Sequence, residues 1–235
     1  MPKENNQKRY SGKVSAFNDE SILLNNRIQA FKEAGVKSER GILVLLISNP
    51  RDNGAAKDIY PKLPYINYRS GKHLEFLVTG LIHEGDKEQF SPEELIEVFT
   101  LEDGKYYFSD KIFSELITYL ESITSWEYQG GSEIIVVDYQ INSKEGRLNW
   151  SDAFLLDLED ALKHQAIFSV SKFIESLIRV AKNSNGSTAF DHAITNLKSQ
   201  GKKSLYSVVL SFFPKELVSE MKKLNLFIPL DLNRR

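Results

Sequence analysis

Three short apolar runs stand out from the mixed pattern of polar and apolar residues along the chain. They cover residues 42–47, 73–82 and 132–139, and polar residues, glycine or proline bound them. Runs of this length that are rich in β-branched residues are typical of strands buried on both faces, because a helix buried all round is longer. The sequence therefore predicts three central strands, and strands of this kind need helices on both sides of the sheet.

Helical patterns occur between the apolar runs. Residues 19–34 have apolar side chains at helical spacing, and the sequence Ser-Pro-Glu-Glu at 91–94 is a helix-start signal for a helix that reaches residue 99. Residues 105–110 predict a short edge strand, and a one-sided apolar stripe predicts a helix over residues 112–124. The alternation predicts an α/β fold with a mainly parallel central sheet of at least three strands and flanking helices.

The last third of the chain has a different pattern. Residues 151–163 and 168–182 predict two amphipathic helices, and further helices are expected at 189–198 and 214–224. Residues 206–213 fit either a strand or a helix. The predicted organisation is a flexible N-terminal arm over residues 1–18, an α/β sheet portion over 19–146, and a mostly helical portion over 147–235 packed on that sheet.

Composition excludes several classes of function. The 30 basic residues nearly balance the 32 acidic ones, and a net charge of -2 provides no overall field that would attract nucleic acid or an acidic membrane. The absence of cysteine excludes disulfides, thiolate nucleophiles and iron–sulfur ligation. Neither a secretory signal nor an apolar stretch of membrane-spanning length is recognisable, so we predict a cytoplasmic protein without a membrane partner.

The stretch YRSGKHLEFLVTG, residues 68–80, places two cations, a glycine and a histidine directly before the second apolar run. If the second strand is antiparallel to the first, backbone N–H groups and the two cations could cradle an anion. If it is parallel, the same residues are only the entrance to the strand. The candidate ligand-binding residues of this stretch are Arg69, Ser70, Gly71, Lys72 and His73.

A second set of polar residues follows the predicted strands. In open parallel sheets, ligands bind beyond the carboxyl ends of the strands. Asp138, which we expect to close the third strand, is the member of this set that we add to the ligand-binding residues, although an aspartate there also starts ordinary turns. We predict no metal site, since no second histidine lies near in sequence. The other members are Asn49, Arg51, Asp52, His83, Glu84 and Asp86.

The segment SWEYQGGSE, residues 125–133, sets two aromatic residues against two glycines. Trp126 and Tyr128 could form the wall of a base-stacking pocket, or they could belong to a tight link between a helix and a strand. We favour a role in the core or at an interface. The glycine-flanked serine of α/β-hydrolases, the dinucleotide fingerprint and the phosphate-binding loop are all missing from the sequence.

The stretches YRSGKHLEFLVTG and WEYQGGSEIIVVD resemble uncharacterised bacterial proteins, and no function is transferred from this resemblance. We predict no cofactor. We predict a non-enzymatic binding, sensor or accessory protein that recognises a partner protein or a small anionic ligand through its strand-end loops. The alternative is an enzyme that acts on a phosphate-containing substrate such as a nucleotide, with or without a metal ion. A self-assembling homo-oligomer is a third class.

Overall fold

Two β-sheets organise the computed structural model of the protein. It describes residues 14–17, 38–52, 54–70, 74–142, 146–165, 167, 169–184, 215, 218–219 and 227–229. The strands, in chain order, are β1 (Val14–Phe17), β2 (Ser38–Ile47), β3 (Leu74–Thr79), β4 (Leu81–His83), β5 (Leu95–Leu101), β6 (Gly104–Ser109), β7 (Glu133–Asn142), β8 (Gly146–Asp157) and β9 (Phe227–Pro229).

Helices connect and cover these strands. They are α1 (Ala56–Ile59), α2 (Leu63–Ser70), α3 (Asp110–Ile123), α4 (Leu158–Lys163) and α5 (Val170–Ser184), with 3-10 segments at Tyr60–Lys62, Glu84–Gln89 and Pro92–Glu94. Side-chain caps fix three of the helix starts, and at α5 the Oγ of Ser169 accepts a hydrogen bond from Lys172 N at 3.2 Å. Ser109 Oγ accepts a hydrogen bond from Ile112 N at 3.4 Å, and Asp157 Oδ1 accepts one from Asp160 N at 2.9 Å. No helix among the described residues is long and apolar enough to cross a membrane.

The strand order corrects the predicted fold class. The six-stranded sheet has the order β1-β3-β2-β7-β8-β9, and the three-stranded sheet has the order β4-β6-β5. Only the β1–β3 and β2–β3 pairs of the large sheet are parallel, and every pair of the small sheet is antiparallel. A mainly parallel central sheet is therefore wrong. Apolar runs report burial on both faces, and they carry no information on strand direction.

Connections explain which pairs are parallel. The β2–β3 connection contains α1 and α2, and a helical crossover returns the chain in the same direction. β7 and β8 are separated by residues 143–145 alone, and so short a link requires an antiparallel pair. Both strands are long, and their register runs from Glu133 opposite Asp157 to Ile141 opposite Gly146.

The second predicted strand divides between the two sheets. Residues 74–79 form β3 in the large sheet, and residues 81–83 form β4 in the small one. Gly80 between them has a φ of 74°, and a Cβ atom there would lie 2.7 Å from the ring of Phe108. This backbone conformation favours glycine, so Gly80 lets the chain leave one sheet and enter the other.

Two predicted helices are strands over most or all of their length. The start signal at residues 91–94 opens only the short 3-10 segment, after which β5 begins, and Phe99 of β5 stacks on Tyr106 at 4.9 Å between ring centroids. Residues 151–157 belong to β8, and only residues 158–163 of that prediction are helical. In both places pairing with a neighbouring strand overrides the helical pattern of the sequence.

Other element predictions are confirmed. β7 and α3 lie where the apolar patterns predict them, and α5 covers the helix expected at 168–182. Residues 105–109 form a strand as predicted, but β6 is the central strand of the small sheet and not an edge. The helices predicted at 19–34 and 189–198, the segment 206–213 and most of 214–224 lie outside the described residues.

The domain organisation stays a prediction. The proposed N-terminal arm includes β1, which pairs with β3. The proposed boundary near residue 146 falls between β7 and β8, which pair along most of their length. Most residues of the predicted helical portion after residue 184 lie outside the described part of the chain.

The hydrophobic core lies on both faces of the large sheet, as the apolar runs predict. Residues 42–47 of β2 are all buried. Ile42, Val44 and Leu46 belong to the core layer that includes side chains of α1, α2 and α5, and the alternate residues of β2 belong to the layer that includes side chains of α3. Period-two alternation sends successive side chains to opposite faces, so an uninterrupted apolar strand requires two covered faces.

Candidate binding surface

The direction of β3 decides between the two interpretations of residues 69–73. β2 and β3 are parallel, with Ile42 opposite Leu74, so Arg69 and Ser70 precede the amino end of β3. Asn49, Arg51 and Asp52 follow the opposite, carboxyl end of β2. The parallel direction favours the strand-entrance interpretation of the stretch over anion binding. Gly71, Lys72 and His73 themselves lie outside the described residues.

Asp138 lies inside a strand and does not close one. β7 continues to Asn142, four residues beyond Asp138, so the expected strand end is wrong. The register places Asp138 opposite Ile42 of β2 on one side and Asn149 of β8 on the other. Asp138 is thus level with the middle of β2 and, across it, with the first residue of β3, Leu74. Asn49 and Asp52, with which it was grouped as a strand-end residue, follow the carboxyl end of β2.

Arg69 is held by α5. Its Nε and Nη2 atoms donate hydrogen bonds to the two carboxylate oxygens of Glu175, at 2.9 and 3.1 Å. The hydroxyl of Tyr65 donates to the same carboxylate at 2.8 Å. The hydrogen bonds with Glu175 raise the pKa values of Arg69 and Tyr65, because they favour the cation in one case and the protonated phenol in the other.

Ser70, the other described residue among the predicted ligand-binding residues of this stretch, faces inward. It is fully buried, and its hydroxyl donates to the Asn67 carbonyl at 3.2 Å. A hydroxyl in this position stabilises the last turn of α2 and is not presented to a ligand. The two predicted ligand-binding residues that the structure describes here, Arg69 and Ser70, are thus both engaged by the protein itself.

Two tyrosines beside Arg69 are solvent-exposed. Tyr65 is 51% exposed and Tyr68 is 83% exposed, and their spacing of three residues puts them on one face of α2. Among the described residues, Tyr119 on α3 is the other exposed large hydrophobic side chain, at 37%. We call Tyr65, Tyr68, Arg69 and Glu175 the tyrosine patch. Large amphipathic rings beside a fixed arginine are the residue types that dominate protein-binding hot spots.

Only part of the tyrosine patch was predictable from the sequence. Arg69 was a predicted ligand-binding residue, and Tyr68 begins the stretch that contains it. Of the two aromatic residues assigned to the core or to an interface, Trp126 is buried and Tyr128 is half-buried. The signal for the exposed pair was the weak amphipathicity of residues 63–70, where tyrosines fall among polar residues.

The carboxyl end of β2 also has a neutralised cation. Arg51 Nη2 lies 3.0 Å from Asp110 Oδ2, and Asn49 Nδ2 donates to the other oxygen of that carboxylate at 3.2 Å. Both charged side chains are about half exposed. Asp110 begins α3, so this pair joins the loop after β2 to the first turn of that helix.

Backbone groups of the protein engage the side chains of His83 and Glu84. His83 Nδ1 accepts a hydrogen bond from Gly85 N at 3.1 Å, and its Nε2 lies 3.0 Å from the Asp103 carbonyl oxygen. Glu84 Oε2 accepts from Lys105 N at 3.2 Å. Contacts of this kind are typical of an ordinary polar turn. Among the residues that the structure describes, no group of three histidine or carboxylate side chains could hold a metal ion.

The segment 125–133 links α3 to β7, and its tryptophan lies in the core. Trp126 is buried and donates from Nε1 to Glu133 Oε2 at 2.8 Å, while the Tyr128 hydroxyl donates to the Gly131 carbonyl at 2.7 Å. The core interpretation of Trp126 is thus confirmed. Tyr128 also contributes to a surface groove of about 380 Å³. The other residues that line this groove are Thr118, Glu121, Ser122, Glu127 and Gln129.

Glu133 is a buried carboxyl that sequence analysis missed. It is 2% exposed, and desolvation by burial raises its pKa to about 7 in spite of the hydrogen bond from Trp126, which acts in the opposite direction. Asp157, its cross-strand partner, adds a smaller upward effect. The available signal was its position, since an acidic residue directly before an uninterrupted apolar strand is buried when the strand end is covered.

Comparisons of the chain with protein-family models, with curated proteins and with solved structures give no match.

Proposed function

We propose that the protein is a non-enzymatic, cytoplasmic binding protein that recognises a partner protein through the tyrosine patch. The observation that supports this proposal is the 83% exposure of Tyr68 beside Tyr65 on one face of α2. A tyrosine ring offers a large contact area at a low cost in side-chain entropy, because it has only two rotatable side-chain bonds before the hydroxyl. Exposed rings next to a buried helix face provide such a surface without any rearrangement of the core.

Charge pairing favours a protein partner over a small anionic ligand. An anion at Arg69 would have to replace both oxygens of Glu175, which occupy the guanidinium in a two-point arrangement. Arg51 is also paired with a carboxylate, that of Asp110, through a single contact. The described cations of the two candidate strand-end regions are thus already neutralised, and the tyrosine patch has no net charge.

The placement of polar residues favours binding over catalysis. Arg69 precedes the amino end of β3 and Asp138 is opposite Ile42 in the middle of β2, whereas Asn49 and Arg51 follow the carboxyl end of β2. His83 is engaged on both ring nitrogens, by the backbone N–H of Gly85 and the backbone carbonyl of Asp103. The residues that would serve an enzyme of phosphate-containing substrates are therefore distributed over separate parts of the described structure.

Site-specific crosslinking tests the proposal. A photoreactive phenylalanine analogue at position 68, in cells that produce the protein, should give a defined crosslinked product whose partner mass spectrometry identifies. With that purified partner, Tyr68→Ala should weaken binding at least tenfold in a calorimetric titration, because loss of a hot-spot ring costs about 2 kcal/mol. A crosslink to a second copy of the chain would identify the partner as the protein itself.

Tyr119→Ala is the matched control. Tyr119 is an exposed tyrosine on a different helix, so its removal should leave the affinity unchanged. The proposal fails if Tyr68→Ala binds the identified partner as tightly as the unaltered protein does. Thermal stabilisation by a nucleotide with Mg²⁺, abolished by Arg69→Ala, would instead favour the enzyme.

A further inference from the structure

The link between α3 and β7 is held in place by a small number of hydrogen bonds. We call residues 124–132 the α3–β7 link. Its Tyr128 N–H donates to Glu121 Oε1 of α3 at 2.9 Å, and its Trp126 N–H donates to Thr124 Oγ1 at 3.1 Å. Gly130 and Gly131 both have positive φ values, of 87° and 84°. The link therefore has fixed contacts at its start and a glycine pair near its end.

Glu133 lies directly beneath this link. Its side chain is 2% exposed, and its Oε2 atom receives the indole N–H of Trp126 at 2.8 Å. The neighbouring backbone is fixed, because Glu133 pairs with Ile47 on one side and with Asp157 on the other. Hydration of this carboxyl thus requires movement of the link that covers it, since the strands on either side are paired.

Among the described residues, no cation neutralises Glu133. Trp126 and the backbone of Gln129 donate hydrogen bonds to it, and the charge of Asp157 on β8 raises its pKa. Burial raises the pKa of Tyr128, and the charges of Asp52 and Glu133 raise it further. The other charged group of this region lies on α4, where Glu159 Cγ would be 3.2 Å from a Cβ atom at Gly131. Every ionisable side chain in this set is acidic or phenolic.

We propose that Glu133 is a proton-controlled latch for the α3–β7 link, which stays closed over the neutral carboxyl and opens when the carboxyl ionises. An ionised carboxylate among acidic neighbours gains more from water than from the indole N–H of Trp126 and the backbone N–H of Gln129. Burial raises the pKa of the closed state to about 7 from the ordinary value of 4.5 that applies when the carboxyl is hydrated. Opening also dismantles one wall of the groove, because Tyr128 and Gln129 line it.

The sign of the pH effect follows from these two values. The open state loses its proton as pH rises through about 4.5, and the closed state keeps its proton until about 7. The open state is thus favoured progressively between these values, and the effect levels off above pH 7. Over that range the opening equilibrium should rise by about two orders of magnitude.

Native-state hydrogen exchange measures this opening. Amides of residues 125–131 should lose protection by about 100-fold between pH 5 and pH 8, after correction for the intrinsic pH dependence of exchange. Glu133→Gln keeps the acceptor for Trp126 but removes the titration, so it should give the same protection at both pH values. Glu127→Gln, an exposed glutamate of the same link, should behave like the unaltered protein.

A second variant keeps the latch testable if Glu133→Gln does not fold. Trp126→Phe removes the hydrogen bond that favours the ionised carboxyl, so the midpoint of the transition should move to higher pH. Protection that is equal at pH 5 and pH 8 in the unaltered protein would overturn the latch. A pH-dependent loss that persists in Glu133→Gln would overturn it as well, because another group would then control the opening.

Discussion

Thr79 is a buried residue whose hydroxyl has no hydrogen-bond partner among the described residues. Its side chain is fully buried at the end of β3. Placing an unpaired hydroxyl in an apolar environment costs free energy, whereas valine has the same shape and no polar atom. Such a residue is a local defect that the rest of the fold compensates.

Thr79→Val should raise the free energy of unfolding by about 1 kcal/mol. Urea denaturation of the two proteins measures the difference, and Thr79→Ser serves as control because it keeps the hydroxyl while removing a methyl group. The serine variant should be less stable than the unaltered protein. A valine variant that is clearly destabilised would mean that the hydroxyl is hydrogen-bonded.

The burial of some individual residues could be predicted from the sequence, and the burial of others could not. Burial of Trp126 was predictable, because a tryptophan next to an apolar strand has few alternatives to the core. The exposure of Tyr68 was not, since a tyrosine fits the core and the surface equally well. Glu133 was also missed, because its burial depends on a link and a neighbouring strand that no local pattern reveals.

Gly80 decides how one apolar run becomes two elements. The backbone of Gly80 has a φ of 74°, and an added Cβ would meet the Phe108 ring at 2.7 Å and the Phe113 Cβ at 3.0 Å. Both aromatic residues are buried, so neither has much room to move. The junction between β3 and β4 therefore depends on the absence of a side chain at this position.

Gly80→Ala should destabilise the protein by about 2 to 4 kcal/mol, because backbone strain adds to the collision with Phe108. Gly130→Ala is a matched control, since Gly130 has a φ of 87° but nothing lies within 4 Å of an added Cβ. That variant should lose only about 1 kcal/mol. Equal losses in the two variants, measured by thermal denaturation, would show that the collision contributes nothing.

The presence of a helix or strand was easier to predict than the direction of a strand or its neighbours in the sheet. The run at residues 42–47 is a strand buried on both faces, and the stripe at 112–124 is a helix, because periodicity reports which faces are covered. Residues 151–157 of β8 were predicted to be helical, since they fit an amphipathic helix equally well. Their pairing with β7 decides the outcome, and β7 lies outside the predicted element.

At the scale of the whole molecule, the Glu133 carboxyl makes stability depend on pH. Its pKa is about 7 in the folded protein and 4.5 when hydrated, so the folded state binds more protons between these values. The free energy of unfolding should therefore fall as pH rises from about 4.5 to about 7, by up to about 3 kcal/mol from this group.

Chemical denaturation at pH 5 and pH 8 checks this dependence. Glu133→Gln should remove this part of the pH effect, so that the variant is more stable than the unaltered protein at pH 8 and similar to it at pH 5. Glu127→Gln, at an exposed position of the same link, should leave the dependence as it is. An unchanged pH dependence in the Glu133 variant would assign the effect to other carboxyls.

The pairing of β2 with β7 joins distant parts of the chain, from Ser38 opposite Asn142 to Ile47 opposite Glu133. During synthesis on the ribosome, β2 can pair with β3 long before β7 has emerged. The small sheet, whose strands lie within residues 81–109, can also be completed early. The edge of β2 that will pair with β7 therefore stays unpaired while β7 is made, and an unpaired edge of an apolar strand exposes the nascent chain to aggregation.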